Sequence, residues 1–236
     1  MRSPLKSTTL AFCLAALAAA PAQSQAIEPV PYADLETELT TRIDFESYPK
    51  ILSPGQPLDT IEVFDGAQFA ERFRGQLLTQ TAGFDDLFAL PVSPLTLQPG
   101  QPGQNLAVMF IFYMSNQLKG MAPPGFPAEH AGGEGAVSIL FDRDQSALGF
   151  RVTSEPAPRD ATTPKGQMTV AFYRRDGFLL DTLQVDLDWV LGSYGFSRSN
   201  GARDIAGISI TNRDPAGVSI DDVIFDRDVV VSWLIP

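Results

Sequence analysis

Two short stretches hold the carboxylates whose spacing could do chemistry. Near the start, "DFE" sets Asp44 and Glu46 on one face of an extended segment. Near the end, "GVSIDDVIFD" sets Asp221 and Asp222 inside a run of Val218, Ile220, Val223, Ile224 and Phe225. That run reads as a buried strand, and burying an unpaired charge costs several kcal/mol. Before the pair, the apolar residues fall at even positions. After it, the bulky Val223 and Phe225 fall at odd ones. A slip of one residue is what a β-bulge produces. If the first and last strands lie side by side, four carboxylates converge, and like charges at close range call for a cation. Ca²⁺ suits them, because it takes six to eight oxygen ligands in flexible geometry. Zn²⁺ would ask for His or Cys, which are scarce. The alternative is that Arg42, Arg72 or Arg74 pairs with some of these acids.

Other chemistry is thinly represented. The one histidine, His130, stands in a Gly-rich loop near Glu129 and Glu134. It could act as a general base, but a lone loop histidine is more often simply exposed. Neither G-x-S-x-G nor H-E-x-x-H occurs, and the jelly-roll glucanase pattern E-x-D-x-x-E is missing. Asp142, Asp144 and Ser146 alternate like part of a calcium loop. Ala147 stands where that loop needs glycine, so a polar turn explains them better. Sugar recognition would use exposed ring faces, for which Phe84, Phe88, Phe126, Trp189 and Tyr194 are the candidates. For any single ring, core filling or loop bracing is the plainer reading.

Composition narrows the setting. "MRSPLK" followed by "STTLAFCLAALAAA" and "PAQSQA" is the pattern of a removable export signal, with cleavage expected after Ala26. Phe12 before Cys13 argues against a lipoprotein. The chain carries 28 acidic against 17 basic residues, and removing Arg2 and Lys6 makes the balance more negative. Nucleic acid is therefore excluded as a partner. Cys13 is the one cysteine and lies in the signal, so the mature chain is held by its core, by bound metal or by both. The C-terminal "VVVSWLIP" is far short of a membrane span. The expected location is the periplasm or the cell exterior.

The elements that must position these residues are strands. After a polar lead-in over 27–40, "TRIDFESY", "TIEVF", "AQFAERFRG", "NLAVMFIFYM", "AVSILFD", "ALGFRVTS", "QMTVAFYRR", "FLLDTLQVDL", "YGFSRS", "IAGISIT" and "VSIDDVIF" all read as β. Asp65-Gly66 and Asp176-Gly177 supply tight turns. Residues 81–104 and 120–135, rich in Pro and Gly, read as long loops. No amphipathic helix stands out. The expectation is an all-β fold over 41–236, a two-sheet antiparallel β-sandwich of jelly-roll type with long loops.

At these residues a resemblance enters. "DFE" and "IDDVIF" resemble the first and last strands of calcium-bearing jelly-roll modules, such as carbohydrate-binding modules and MAM domains. The order "VSILFDRDQSALGFRV", "MTVAFYRRDGFLLDTLQV", "YGFSRSNGARDIAGISI", "VSIDDVIF" is similar to secreted bacterial exoproteins of the PEP-CTERM type. Those proteins end in a Pro-Glu-Pro motif, a hydrophobic helix and a basic tail, which "VVVSWLIP" does not match. Surface sorting by that route is therefore not expected. The resemblance implies a structural cation, with metal ligands Asp44, Glu46, Asp221 and Asp222, rather than an active site. The function expected is a secreted, non-catalytic module that binds a glycan or another extracellular macromolecule through its loops. The alternatives are a secreted polysaccharide hydrolase, or a matrix or adhesion protein with no small ligand.

Overall fold

The structure, a computed structural model, describes residues 26–111, 114–154, 166–188 and 190–226. The expected export signal up to Gln25, and Trp189, lie outside the described residues. In chain order the first elements are β1 (Ile27–Val30), the short helix α1 (Tyr32–Glu38), β2 (Thr41–Ile43), β3 (Gln56–Leu58), β4 (Glu62–Phe64) and β5 (Ala67–Ala70). Then come β6 (Arg72–Phe73), β7 (Leu77–Thr81), β8 (Phe84–Phe88), β9 (Leu97–Gln98), β10 (Leu106–Phe110) and β11 (Asn116–Gly120). The last are β12 (Val137–Gln145), β13 (Ala147–Ser154), β14 (Gln167–Tyr173), β15 (Leu179–Asp186), β16 (Leu191–Arg198), β17 (Ile205–Asn212) and β18 (Val218–Phe225).

Two antiparallel sheets form the sandwich. One runs β1-β16-β13-β18-β11-β10-β3, with β2 also on β18; the other runs β15-β14-β17-β12-β5-β4. Strands β15 to β18 alternate between the sheets, as jelly-roll winding requires. Both expected Gly turns are present, with φ of 94° at Gly66 and 82° at Gly177. Between the sheets lies a core in which Phe69, Phe141, Phe150, Phe172, Phe196 and Phe225 are essentially inaccessible to water. Among the described residues no helix is long and apolar enough to cross a membrane.

Two regions are more structured than their composition suggests. Residues 27–40, expected as a polar lead-in, pair as β1 with β16 and then form α1. Tyr32 and Leu35 share one face of α1 and are buried against Ile224. This apolar packing seats a seven-residue helix that would not hold alone. The excursion over 81–104 likewise contains β8 and β9. The β7–β8 hairpin contacts β17, and β6 with β9 lies against β5 and β12. A second small core of Ala70, Phe73, Leu95, Leu97, Leu140, Tyr173 and Ala206 anchors this layer on the outside of the second sheet.

Candidate functional site

The first and last strands do lie side by side, with Val223 opposite Ile43 and Phe225 opposite Thr41. The bulge is there too. Gly149 faces Ile224 and Arg151 faces Asp221, so two steps along β13 match three along β18. Asp222 takes the extra place with φ of 47°. Because Ile220 and Val223 both belong to the main core, the inserted residue lets both aspartates leave it.

The four carboxylates are nonetheless divided. Asp222 accepts from Arg151 Nη1 at 2.6 Å and from Arg42 Nη1 at 3.4 Å. Glu36 on α1 pairs with both arginines. The Tyr32 hydroxyl donates to the Asp222 carbonyl at 2.9 Å, and the Arg151 guanidinium lies 5.2 Å from the Tyr32 ring centre. Asp222 thus ties α1 to the sheet through arginine, one of the arginines being the Arg42 named in the sequence alternative. Asp221 turns elsewhere. Its Oδ2 accepts from the Ser115 hydroxyl, and its Oδ1 accepts from the Asp222 N–H at 2.8 Å. Burial pushes its carboxyl up to about 7; these two donors pull the other way, while the charges of Asp222 and Asp44 add to the rise. Glu46 stands close by, its Oε1 accepting from the Asn116 N–H at 2.8 Å. The Asn116 side chain donates to the carbonyls of Phe45 and Tyr48, while its buried Oδ1 has no hydrogen-bond partner. Among the described residues no group of three or more His, Cys, Asp or Glu side chains is placed to hold a metal ion. What converges is Asp44 and Asp221, with Glu46 and Asn116 beside them.

The second feature is a groove of about 460 Å³ between the β7–β8 hairpin and the loop that enters β10. Leu77, Leu78 and Phe88 form its apolar wall, and Glu71, Arg72, Gln76, Gln101 and Gln104 its polar one. Phe88 is 46% exposed and stands directly opposite the equally open Leu77. Glu71 is buried and ion-paired with Arg72. Gln76 is fixed, accepting from the Phe73 N–H and donating to the Tyr173 hydroxyl. Asn105 holds the far wall in place. Its Oδ1 accepts from the N–H groups of Glu71 and Gly100, and its Nδ2 donates to the carbonyls of Leu58 and Thr60. Gly100 packs so tightly that an added Cβ would lie 2.7 Å from the Glu71 carboxylate. A second depression of about 500 Å³ runs past Thr40, Arg42, Asp44, Ser47 and Phe64. Arg42 is already paired there, and the half-buried Phe64 ring makes T-shaped contacts with Phe45 and Phe69.

No protein-family model matches the chain, and no curated protein sequence does. Among solved structures it is similar to an arabinose-bound α-L-arabinofuranosidase, MgGH51, at 14% identity and a TM-score of 0.30, over 51% of this chain and 21% of that one. It is also similar to the enzymatically active domain of bacteriophage CBA120 tailspike protein 4, at 14% identity and a TM-score of 0.29, over 51% of this chain and 17% of that one. The chain spans about a fifth of the length of these two proteins. Likenesses this slight assign no activity.

Of the expected ring faces, only Phe88 lines the groove among the described residues. Phe84 sits on the same hairpin with the Arg213 guanidinium 5.5 Å from its ring centre. Phe126 packs with Met121 and Ala131 and braces the 120–135 loop. Tyr194 lies against Phe150, and its hydroxyl accepts from the Asp188 N–H at 2.8 Å. Both rings are engaged in packing. His130 is exposed, in the single turn Glu129–Ala131. Of the polar wall of the groove, only Arg72 was named in the sequence, as a possible partner of the carboxylates. The signal was a charged pair, Glu71-Arg72, breaking the apolar run "AQFAERF".

Proposed function

We propose that the protein is an exported, non-catalytic sandwich that binds a glycan in the groove beside Phe88. One observation carries this reading: a half-exposed ring forms one wall, and side-chain amides and an Arg–Glu pair form the other. Sugars present an apolar C–H face and a rim of hydroxyls. A ring stacks on the first, and amide, guanidinium and carboxylate groups hydrogen-bond the second. The hydrolase alternative needs two carboxyl groups facing a common space. Glu71 lines the groove, but Asp85, the nearby acid that also acts on Arg72, is wholly buried and accepts from the Ala136 N–H. Export is the part of the reading that rests on residues 1–26.

The test is a polysaccharide and oligosaccharide panel with wild-type protein and Phe88→Ala. Wild type is expected to bind at least one glycan, and Phe88→Ala to bind it about tenfold more weakly, the scale of one lost stacking contact. Equal binding by the variant moves the site elsewhere. Release of new reducing ends from the bound glycan overturns the non-catalytic part.

Calcium enters this reading in a narrower form than four carboxylates. Asp44 and Asp221 are electrostatic neighbours, and the Asn116 Oδ1 is a buried acceptor with no partner, next to Glu46. A cation held by these groups would take the place of the proton on Asp221. At pH 8 calcium should raise the melting temperature of the wild type, and a chelator should lower it, while Asp221→Asn responds to neither. An unresponsive wild type removes calcium from the proposal.

A further inference from the structure

The groove also points to the class of glycan. Among the described residues Arg72 is the one cationic side chain that lines it. Its guanidinium is already ion-paired with Glu71, whose side chain is only 6% exposed. Asp85, wholly buried and with its carboxyl pushed up by burial, lies within electrostatic reach of Arg72 but does not line the groove. The remaining polar lining, Gln76, Gln101 and Gln104, is uncharged. An acidic sugar would therefore meet an arginine already neutralised by Glu71, on a chain whose formal net charge is −11. A hydroxyl rim meets a better match. Arg72 can still donate through its remaining N–H groups, and Glu71 and the glutamines can accept.

We infer that this groove selects uncharged glycan chains and rejects chains bearing uronate, sulfate or phosphate. The inference rests on the glycan reading above and names its ligand class. Like charge at a desolvated contact is a repulsive element, which builds specificity against a competitor as effectively as new attraction builds it for a ligand. It follows that binding of the accepted chain should be insensitive to salt, because no net charge is neutralised.

The experiment compares dextran, a soluble β-glucan and a galactomannan with polygalacturonate and alginate. Affinity electrophoresis is run in 20 and 300 mM NaCl with wild type, Phe88→Ala and Glu71→Gln. The expected result is retardation by at least one neutral polymer, equal at both salt levels, and at least tenfold weaker retardation by the acidic polymers. Glu71→Gln unpairs Arg72 and should raise retardation by the acidic polymers. Salt-dependent, Phe88-dependent retardation by an acidic polymer overturns the inference while leaving glycan binding intact. No retardation by either class overturns the glycan reading itself. The salt comparison uses wild-type protein, so the inference stays testable even if Glu71→Gln fails to fold.

Discussion

Replacing Asn105 with Ala should destabilise the fold by about 3–5 kcal/mol and abolish binding in the groove. Few single side chains here span so many segments. Asn105 is fully buried, and its amide satisfies four main-chain groups drawn from β3, the segment after it, the residue between β5 and β6, and the Gly100 turn. Truncation leaves two N–H and two carbonyl groups without partners, and each unsatisfied buried group costs about 1–3 kcal/mol. Local relaxation and water entry keep the total below the sum. Asn105→Asp is a sharper variant. It keeps the acceptor for Glu71 and Gly100, loses both donations and adds a buried charge, so it should be at least as destabilising above pH 6. Urea denaturation gives the measure, as a fall in midpoint with unchanged slope. A loss below about 1 kcal/mol for Asn105→Ala would show that Gly100 and Glu71 are held by packing instead.

Asn105 also shows where sequence reading stops. Period-2 alternation exposes the strands, because each side chain must choose a face, and the Asp-Gly pairs expose their turns. The bulge was legible for the same reason: Ile220 and Val223 cannot both reach the core unless one residue is added between them. What alternation does not encode is the partner of a polar side chain. Asp222 and Asp221 look equivalent in "IDD", yet one is claimed by Arg42 and Arg151 and the other by Ser115. Those partners arrive from positions 42, 115 and 151, and only the folded topology brings them together. The layer over 77–104 was hidden for a related reason. Its elements are two to five residues long, and they are held by contacts to β5, β12 and β17 rather than by their own pattern. Phe88 was legible as a candidate ring, but the wall opposite it was not, since Gln101 and Gln104 are ordinary loop residues until Asn105 draws their turn against Glu71.

In the presence of chelator, the wild type should lose stability relative to Asp221→Asn as pH rises from about 4 to 7. The sign follows from the direction of the shift. Asp221 has an ordinary value of 3.8 in the unfolded chain and is pushed up to about 7 in the fold, chiefly by burial. Between those two values the folded protein binds the extra proton. The contribution of Asp221 to stability is therefore greatest below the lower value, falls through the window, and levels off above the upper one. A shift of this size sets a ceiling of about 4 kcal/mol on the difference, for a side chain that water barely reaches. Asparagine is close to isosteric and keeps both contacts: its oxygen can accept from the Asp222 N–H and its amide can donate to the Ser115 oxygen. It carries no charge to desolvate, so at pH 8 the variant should be the more stable protein by about 2–4 kcal/mol, converging with wild type near pH 4. Asp85 is also raised by burial, but it acts equally in both proteins and cancels in the difference. Parallel stability curves for the two proteins from pH 4 to 8 would mean that Asp221 is solvated in the fold. A bulge that frees two aspartates from the core would then leave both of them with partners but neither with a burial cost.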